Sequence, residues 1–195
     1  VTPVTTFVDT TGLTSTSGNL VAGTHTGIQK VSALGGVDGG NYTFANVLGD
    51  YTVDQLALTG SVASATTTYG QTLTPGTATL TNVVGADVVT PVTTFVDTTG
   101  LTSTSGNLIA GTHTGIQKVS ALGGADGGNY TYANVLGDYT VDQLALTGAA
   151  IGAGTSVYAS GLNPGAVSFG NIVSGDLADS RGSVDTAAMR TGGNF

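Results

Sequence analysis

The chain has 195 residues, 32 of them Gly, and 8% are charged, against roughly a quarter in ordinary globular domains. Twelve acidic residues, all Asp, against four Lys and Arg give a net charge of −8. That balance argues against nucleic acid, whose binders cluster Lys and Arg to neutralise phosphate, and it is equally unsuited to an anionic membrane surface.

Cys is absent, which excludes a disulfide scaffold and a thiolate metal site. No apolar run approaches the ~18 residues of a membrane-spanning helix. Thr (35 residues) and Val favour strands, because branching at Cβ suits a pleated, half-buried surface. The 39% apolar content argues against disorder, since disordered chains cannot bury that much.

In chain order, the first segment is met twice. Residues 1–60 recur as residues 89–148 at a constant offset of 88, and only Val21/Ile109, Val37/Ala125 and Phe44/Tyr132 differ. Repetition of that length implies a chain of repeated modules. Strands are predicted at Leu56–Val62, Thr77–Val84, Val92–Val96, Gly115–Leu122, Tyr130–Val135 and Tyr139–Leu146. Gly, Asn and Asp clusters separate them and supply turns.

The alternation of apolar residues changes phase at Asp142-Gln143 and at Asp54-Gln55. Module boundaries are therefore expected there. Residues 1–54 are read as the C-terminal part of one module, 55–142 as a complete module and 143–195 as the N-terminal part of a diverged one. The alternative frame has whole units at 1–88 and 89–176.

The diverged part is recognised by correspondences such as Asn82-Val83-Val84-Gly85-Ala86-Asp87 with Asn171-Ile172-Val173-Ser174-Gly175-Asp176. Asp185–Arg190 has the look of a short helix, but the repeat places it on a strand. The chain reads as a window on a longer protein. The expected core of the complete module draws on Leu56, Leu58, Leu80, Val83, Phe95, Leu108, Ile116, Leu122, Tyr130, Tyr132 and Tyr139.

Few residues carry chemistry. Asp38 and Asn41, with their copies Asp126 and Asn129, sit in Gly-rich loops that are weak calcium candidates. Calcium takes six to eight oxygens, whereas each loop offers one carboxylate and one amide, so a turn explains it as well. Asn41-Tyr42-Thr43 and Asn129-Tyr130-Thr131 fit the N-glycosylation pattern. The same Asn would also serve the turn.

His25 and His113 lie in Thr-His-Thr on a predicted strand. No second His, Cys or Glu in a module completes a catalytic or metal set, so partly exposed strand positions are expected. Lys30 and Lys118 are the two Lys residues. A covalent link from Lys to Asn or Asp would need a buried carboxylate as proton shuttle, so a solvated Lys is expected. Asp9 and Asp97 suit the end of a strand entering a turn. No catalytic residue and no cofactor is expected, because an active site is usually needed once whereas a stalk needs length.

The run Gly106-Asn107-Leu108-Ile109-Ala110-Gly111-Thr112-His113-Thr114 is followed by Leu122-Gly123-Gly124-Ala125-Asp126-Gly127-Gly128-Asn129-Tyr130-Thr131 and Gly137-Asp138-Tyr139-Thr140-Val141. Together with Tyr69-Gly70, this pattern resembles the YDG/MBG-type repeats of very large secreted bacterial proteins. Among these are filamentous-haemagglutinin-like adhesins exported by two-partner secretion. The resemblance spans the chain, although Tyr69-Gly70 becomes Tyr158-Ala159 in the diverged part. It implies an extracellular or cell-surface repetitive stalk used in attachment or biofilm matrix.

The expectation is an all-β protein of tandem β-sandwich or β-grasp-like modules of 88 residues, arranged as an elongated rod. Its expected partners are other copies of itself or neighbouring modules, with extracellular polysaccharide as a further candidate, and neither nucleic acid nor membrane insertion. Two other readings stand beside the stalk: a self-assembling fibre joined by strand complementation, and a glycan-binding module.

Overall fold

A computed structural model describes residues 1–177. The expected strand or helix at Asp185–Arg190 lies outside them. The described residues are nearly all strand, turn and extended loop. They comprise β1 (Thr2–Phe7), β2 (Gly23–Gly35), β3 (Leu48–Val53), β4 (Leu56–Leu58), β5 (Gly60–Val62), β6 (Ala65–Thr68), β7 (Ala78–Leu80), β8 (Thr90–Phe95), β9 (Gly111–Gly123), β10 (Tyr130–Tyr132), β11 (Leu136–Asp142), β12 (Ala150–Ile151) and β13 (Val167–Ser168). Single 3-10 turns stand at Gly39–Asn41 and Gly127–Asn129. Among the described residues no helix is long and apolar enough to cross a membrane.

Two compact units are present. The first comprises Val1–Ala65, Thr74–Asp97 and His113–Tyr139; within the described residues, the second comprises Thr66–Leu73, Thr98–Thr112 and 140–177. The sheets run β1-β2-β3, β6-β11-β9-β8, β5-β7, β12-β13 and β10-β4, the last pair parallel.

The first sheet and the β9-β8 pair are built alike. Thr2–Phe7 pairs antiparallel with β2 and Thr90–Phe95 with β9, each with a bulge at the same place, Val4/Thr5 and Val92/Thr93. In β9, Gly115 takes a left-handed φ of 64°, and its N–H is held by Asp138 Oδ1 at 2.8 Å. An L side chain disfavours that conformation, so Thr-Gly-Ile marks the kink in both copies: Gly27 has φ 67° and donates to Asp50 Oδ1 at 2.8 Å.

In the first unit, β5-β7 covers one face of the sheet. Val62, Val119 and Val135 are buried together, with Ala78, Leu122 and Tyr132 packed against them. Gly137 runs directly under the ribbon. A Cβ on it would sit 2.3 Å from the Val62 carbonyl oxygen, so only Gly permits that approach. Phe95 meets Tyr139 edge-on at 5.1 Å, an arrangement aromatic rings favour.

Several strands are shorter than the sequence predicts. Leu56–Val62 is two strands, because the Thr59 N–H bonds to Asn82 Oδ1 at 2.8 Å and breaks the ladder. Thr77–Val84 is regular over Ala78–Leu80 and then enters a turn in which Asp87 N–H bonds to the Val84 carbonyl. Tyr130–Val135 stops at Tyr132, and Asn134 turns the chain at φ 54°. The strand expected over Tyr139–Leu146 is Leu136–Asp142, with 143–149 outside regular structure.

Of the expected core, Leu58, Leu108, Ile116, Tyr130 and Tyr139 are buried. Leu80, Val83, Phe95, Leu122 and Tyr132 are half-buried. Leu56 is exposed and is corrected: it shares a face of β4 with the buried Leu58 but stands at the start of the three-residue strand, where the cover ends. In the second unit, Leu108 sits in the folded-back loop 98–112. That loop is closed by Ser103 N–H to Asn107 O at 2.8 Å and Ile109 N–H to Leu101 O at 2.9 Å.

Candidate interaction site

Three polar side chains of the first unit, Asp87, Asp126 and Asn129, converge on one loop, residues 15–22. Asp87 Oδ1 accepts the Ser17 N–H at 2.9 Å, and Oδ2 accepts the Tyr130 hydroxyl at 2.6 Å. Tyr130 in turn accepts the Val84 N–H at 3.0 Å. The Ser17 hydroxyl donates to the Val84 carbonyl and accepts the Ala86 N–H, both at 2.8 Å. Hydrogen bonds to a carboxylate are stronger than neutral ones, and this one anchors the loop at both ends of a turn.

Asp126 and Asn129 continue the same work. Asp126 Oδ1 accepts the Thr16 N–H at 3.0 Å and Oδ2 the Val88 N–H at 2.8 Å. Asn129 Oδ1 accepts the Ala22 N–H at 2.9 Å. The calcium candidates in this copy therefore spend these oxygens on backbone donors. Their counterparts Asp38 and Asn41 are exposed. Among the described residues, no three His, Cys, Asp or Glu side chains gather.

These contacts set the protonation of the site. The Tyr130 hydroxyl holds the Asp87 carboxyl down at about 2, assisted by Ser17 and Ser15. The Thr16 hydroxyl and the Val88 N–H hold Asp126 below the usual carboxylate range, opposed by the neighbouring Asp87 charge. Burial, and the Asp87 carboxylate it serves, push the Tyr130 phenol up.

The second unit carries the related node. Asp176 Oδ1 accepts the Ser105 N–H at 3.3 Å, and the Tyr69 hydroxyl donates to Oδ2 while standing 2.6 Å from Ser103 Oγ. Ser103 and Ser105 correspond by repeat to Ser15 and Ser17, and Asp176 to Asp87. The tyrosine comes from a different place. Beside Asp176 lies a cavity of about 550 Å³ lined by Tyr69, Leu144 and Leu146. The corresponding cavity of the first unit, lined by Leu56, Asp87 and Tyr130, is about 210 Å³.

The remaining sequence candidates fall outside these nodes. Of the two glycosylation candidates, Asn129, already placed in the first node, is half-buried, and Asn41 is exposed at the end of a 3-10 turn. His25 and His113 lie on β2 and β9 but are buried, a correction to the partial exposure expected of them. The reason at His25 is its Nε2, which donates to the Val21 carbonyl at 2.8 Å and draws the ring inward. Lys30 and Lys118 are exposed, as a solvated ammonium requires. Asp9 accepts the Thr11 N–H at 2.9 Å at the end of β1, the Asx turn its position suggests.

Sequence reasoning missed Gln117. It is fully buried: its Oε1 accepts the Gly76 N–H at 2.5 Å, and its Nε2 donates to the carbonyls of Ala63, at 3.3 Å, and Asp138. It ties the β5-β7 ribbon to the sheet. A lone Gln amid Val and Ile on a strand was the available signal. No family model, curated protein or solved structure matches this chain.

Proposed function

We propose that this chain is a structural repeat segment of a secreted bacterial adhesin or biofilm-matrix protein, supplying length and surface attachment rather than catalysis. Modules of 88 residues, set end to end as a stiff stalk, are the unit of that length. The observation that carries the reading is the use of Asp87, Asp126 and Asn129. Each spends its side chain on backbone amides of residues 16–22, which belong to the preceding copy of the repeat. Side chains committed in this way join one repeat to the next and leave little for a substrate. The acidic surface and the resemblance to YDG/MBG-type repeats support an extracellular location.

The test is length. Chains carrying two, three and four copies of residues 55–142 are compared by small-angle scattering. A constant increase in maximum dimension per copy is the expected result. A maximum dimension that grows only as the cube root of mass would reject the stalk.

A further inference from the structure

Loop 15–22 is shaped by one set of bonds and attached by another. Its shape comes from the backbone. Ser15 N–H bonds to the Asn19 carbonyl at 2.7 Å, Gly18 N–H to the Ser15 carbonyl at 2.9 Å and Val21 N–H to the Leu13 carbonyl at 2.9 Å. Loop 103–110 of the next copy is closed by the same three bonds, from Ser103, Gly106 and Ile109, at 2.8, 2.9 and 2.9 Å. The loop is thus formed by its own sequence.

Attachment to the following repeat uses the N–H groups of Thr16, Ser17 and Ala22, which take no part in those closing bonds. They go to Asp126 Oδ1, Asp87 Oδ1 and Asn129 Oδ1. Two of these three acceptors titrate. Both oxygens of Asp126 face backbone donors, Thr16 and Val88. Asp87 faces the Ser17 N–H on one oxygen and the Tyr130 hydroxyl on the other. An ionised carboxyl accepts on both oxygens, whereas a protonated one places a donor among donors. The Asp87 charge bears on Asp126, and Asp54 lines the same cavity as Asp87 and Tyr130. On the other side of the loop His25 Nε2 donates to the Val21 carbonyl, a bond that neutral and charged imidazole both make.

We infer that this joint is an acid-released clasp: on protonation of Asp87 and Asp126, loop 15–22 leaves the following repeat as one piece, while the loop's own bonds and the module core persist. The inference rests on the repeat-to-repeat reading of these three bonds given above. The core holds because its contacts are not ionic. Val62, Val119 and Val135 are apolar, Gln117 bonds as a neutral amide, and β9 is paired on both sides. The Asp138 contact with the Gly115 N–H lies inside that sheet. The direction follows from the depressed folded values of Asp87 and Asp126. Their contribution is whole above the ordinary Asp value of about 4 and is lost as pH falls through the folded value, about 2 for Asp87.

Ala22 provides the test, because its acceptor, Asn129, does not titrate. Amide hydrogen exchange is followed by NMR on the whole chain from about pH 7 to about pH 2, each rate divided by that of an unstructured amide at the same pH. In neutral solution Thr16, Ser17 and Ala22 should all be protected. Toward the acid end, protection at the three should fall together, by roughly tenfold or more. Ser15 and Val21 in the loop, and Val119 in the core, should keep theirs. In the double variant Asp87→Asn, Asp126→Asn, protection at Thr16, Ser17 and Ala22 should not vary with pH.

Ala22 still protected after Thr16 and Ser17 have lost protection would mean that the bonds weaken one by one, and would overturn the clasp. Loss at Val119 in the same step, which is global unfolding, would do so too, as would no loss at any of the three or an acid loss that persists in the double variant. Each of these outcomes leaves the repeat-to-repeat reading in place. No protection at Thr16, Ser17 or Ala22 in neutral solution would remove that reading and the clasp with it.

Discussion

The Tyr130 hydroxyl donates to Asp87 Oδ2 at 2.6 Å while accepting the Val84 N–H at 3.0 Å. One phenol thus secures a carboxylate and the turn that leads to it. In Tyr130→Phe, both partners lose this bond while the ring stays buried. The Asp87 carboxyl should then titrate nearer the usual carboxylate range rather than at about 2. Carboxyl NMR titration of the variant measures this, and an unchanged value would remove Tyr130 as the cause. The melting temperature should fall as well.

Stability should decline in acid. Asp87, Asp126, Asp176 and Asp9 all have folded-state values lowered by hydrogen bonds. A group whose folded value is depressed contributes stability that is fully present above its unfolded value. That contribution is lost as pH falls through the folded value. The window here opens below the ordinary Asp value of about 4 and closes near the Asp87 value of about 2. Urea midpoints should be flat from pH 7 to about 5 and then drop. A midpoint that rises on acidification would contradict the assignment.

Gln117→Leu should destabilise the chain despite preserving volume. The substitution strands the Gly76 N–H and the carbonyls of Ala63 and Asp138 in a dry site. Each unsatisfied buried group costs about 1–3 kcal/mol. Gln29→Leu, on the exposed face of the first copy, should change the urea midpoint much less. Equal effects at the two positions would show that burial does not govern them.

Leu108→Ala should cost about 2–5 kcal/mol, the range for emptying a buried leucine site, because Leu108 is buried within its loop. Leu20→Ala, at the half-buried counterpart in the first copy, should cost less. Thermal melts of the two variants compare them directly, and an unchanged melting temperature for Leu108→Ala would reject its place in the core.

Much of the strand content was legible because Thr and Val alternate between Gly-rich turns, and β9 encloses the predicted Gly115–Leu122. Strand ends were less legible. Thr59 and Asn134 interrupt apolar runs through a side-chain hydrogen bond and a left-handed turn, which hydrophobic alternation does not encode. The interaction site was hidden for another reason. Asp126 and Asn129 read as turn formers, yet their partners Thr16 and Ala22 lie more than a hundred residues away.

The sequence by itself determined the β character, the repeat and the positions of its kinks, since Gly27 and Gly115 take left-handed conformations for the same local reason. It did not determine burial. Val47 and Val135 share their neighbours along the chain, yet one faces solvent and the other lies in the core. Only the tertiary structure decides between them, because burial depends on whether a ribbon from elsewhere in the chain covers the sheet face, and hydrophobic contact is set by proximity in space rather than along the chain.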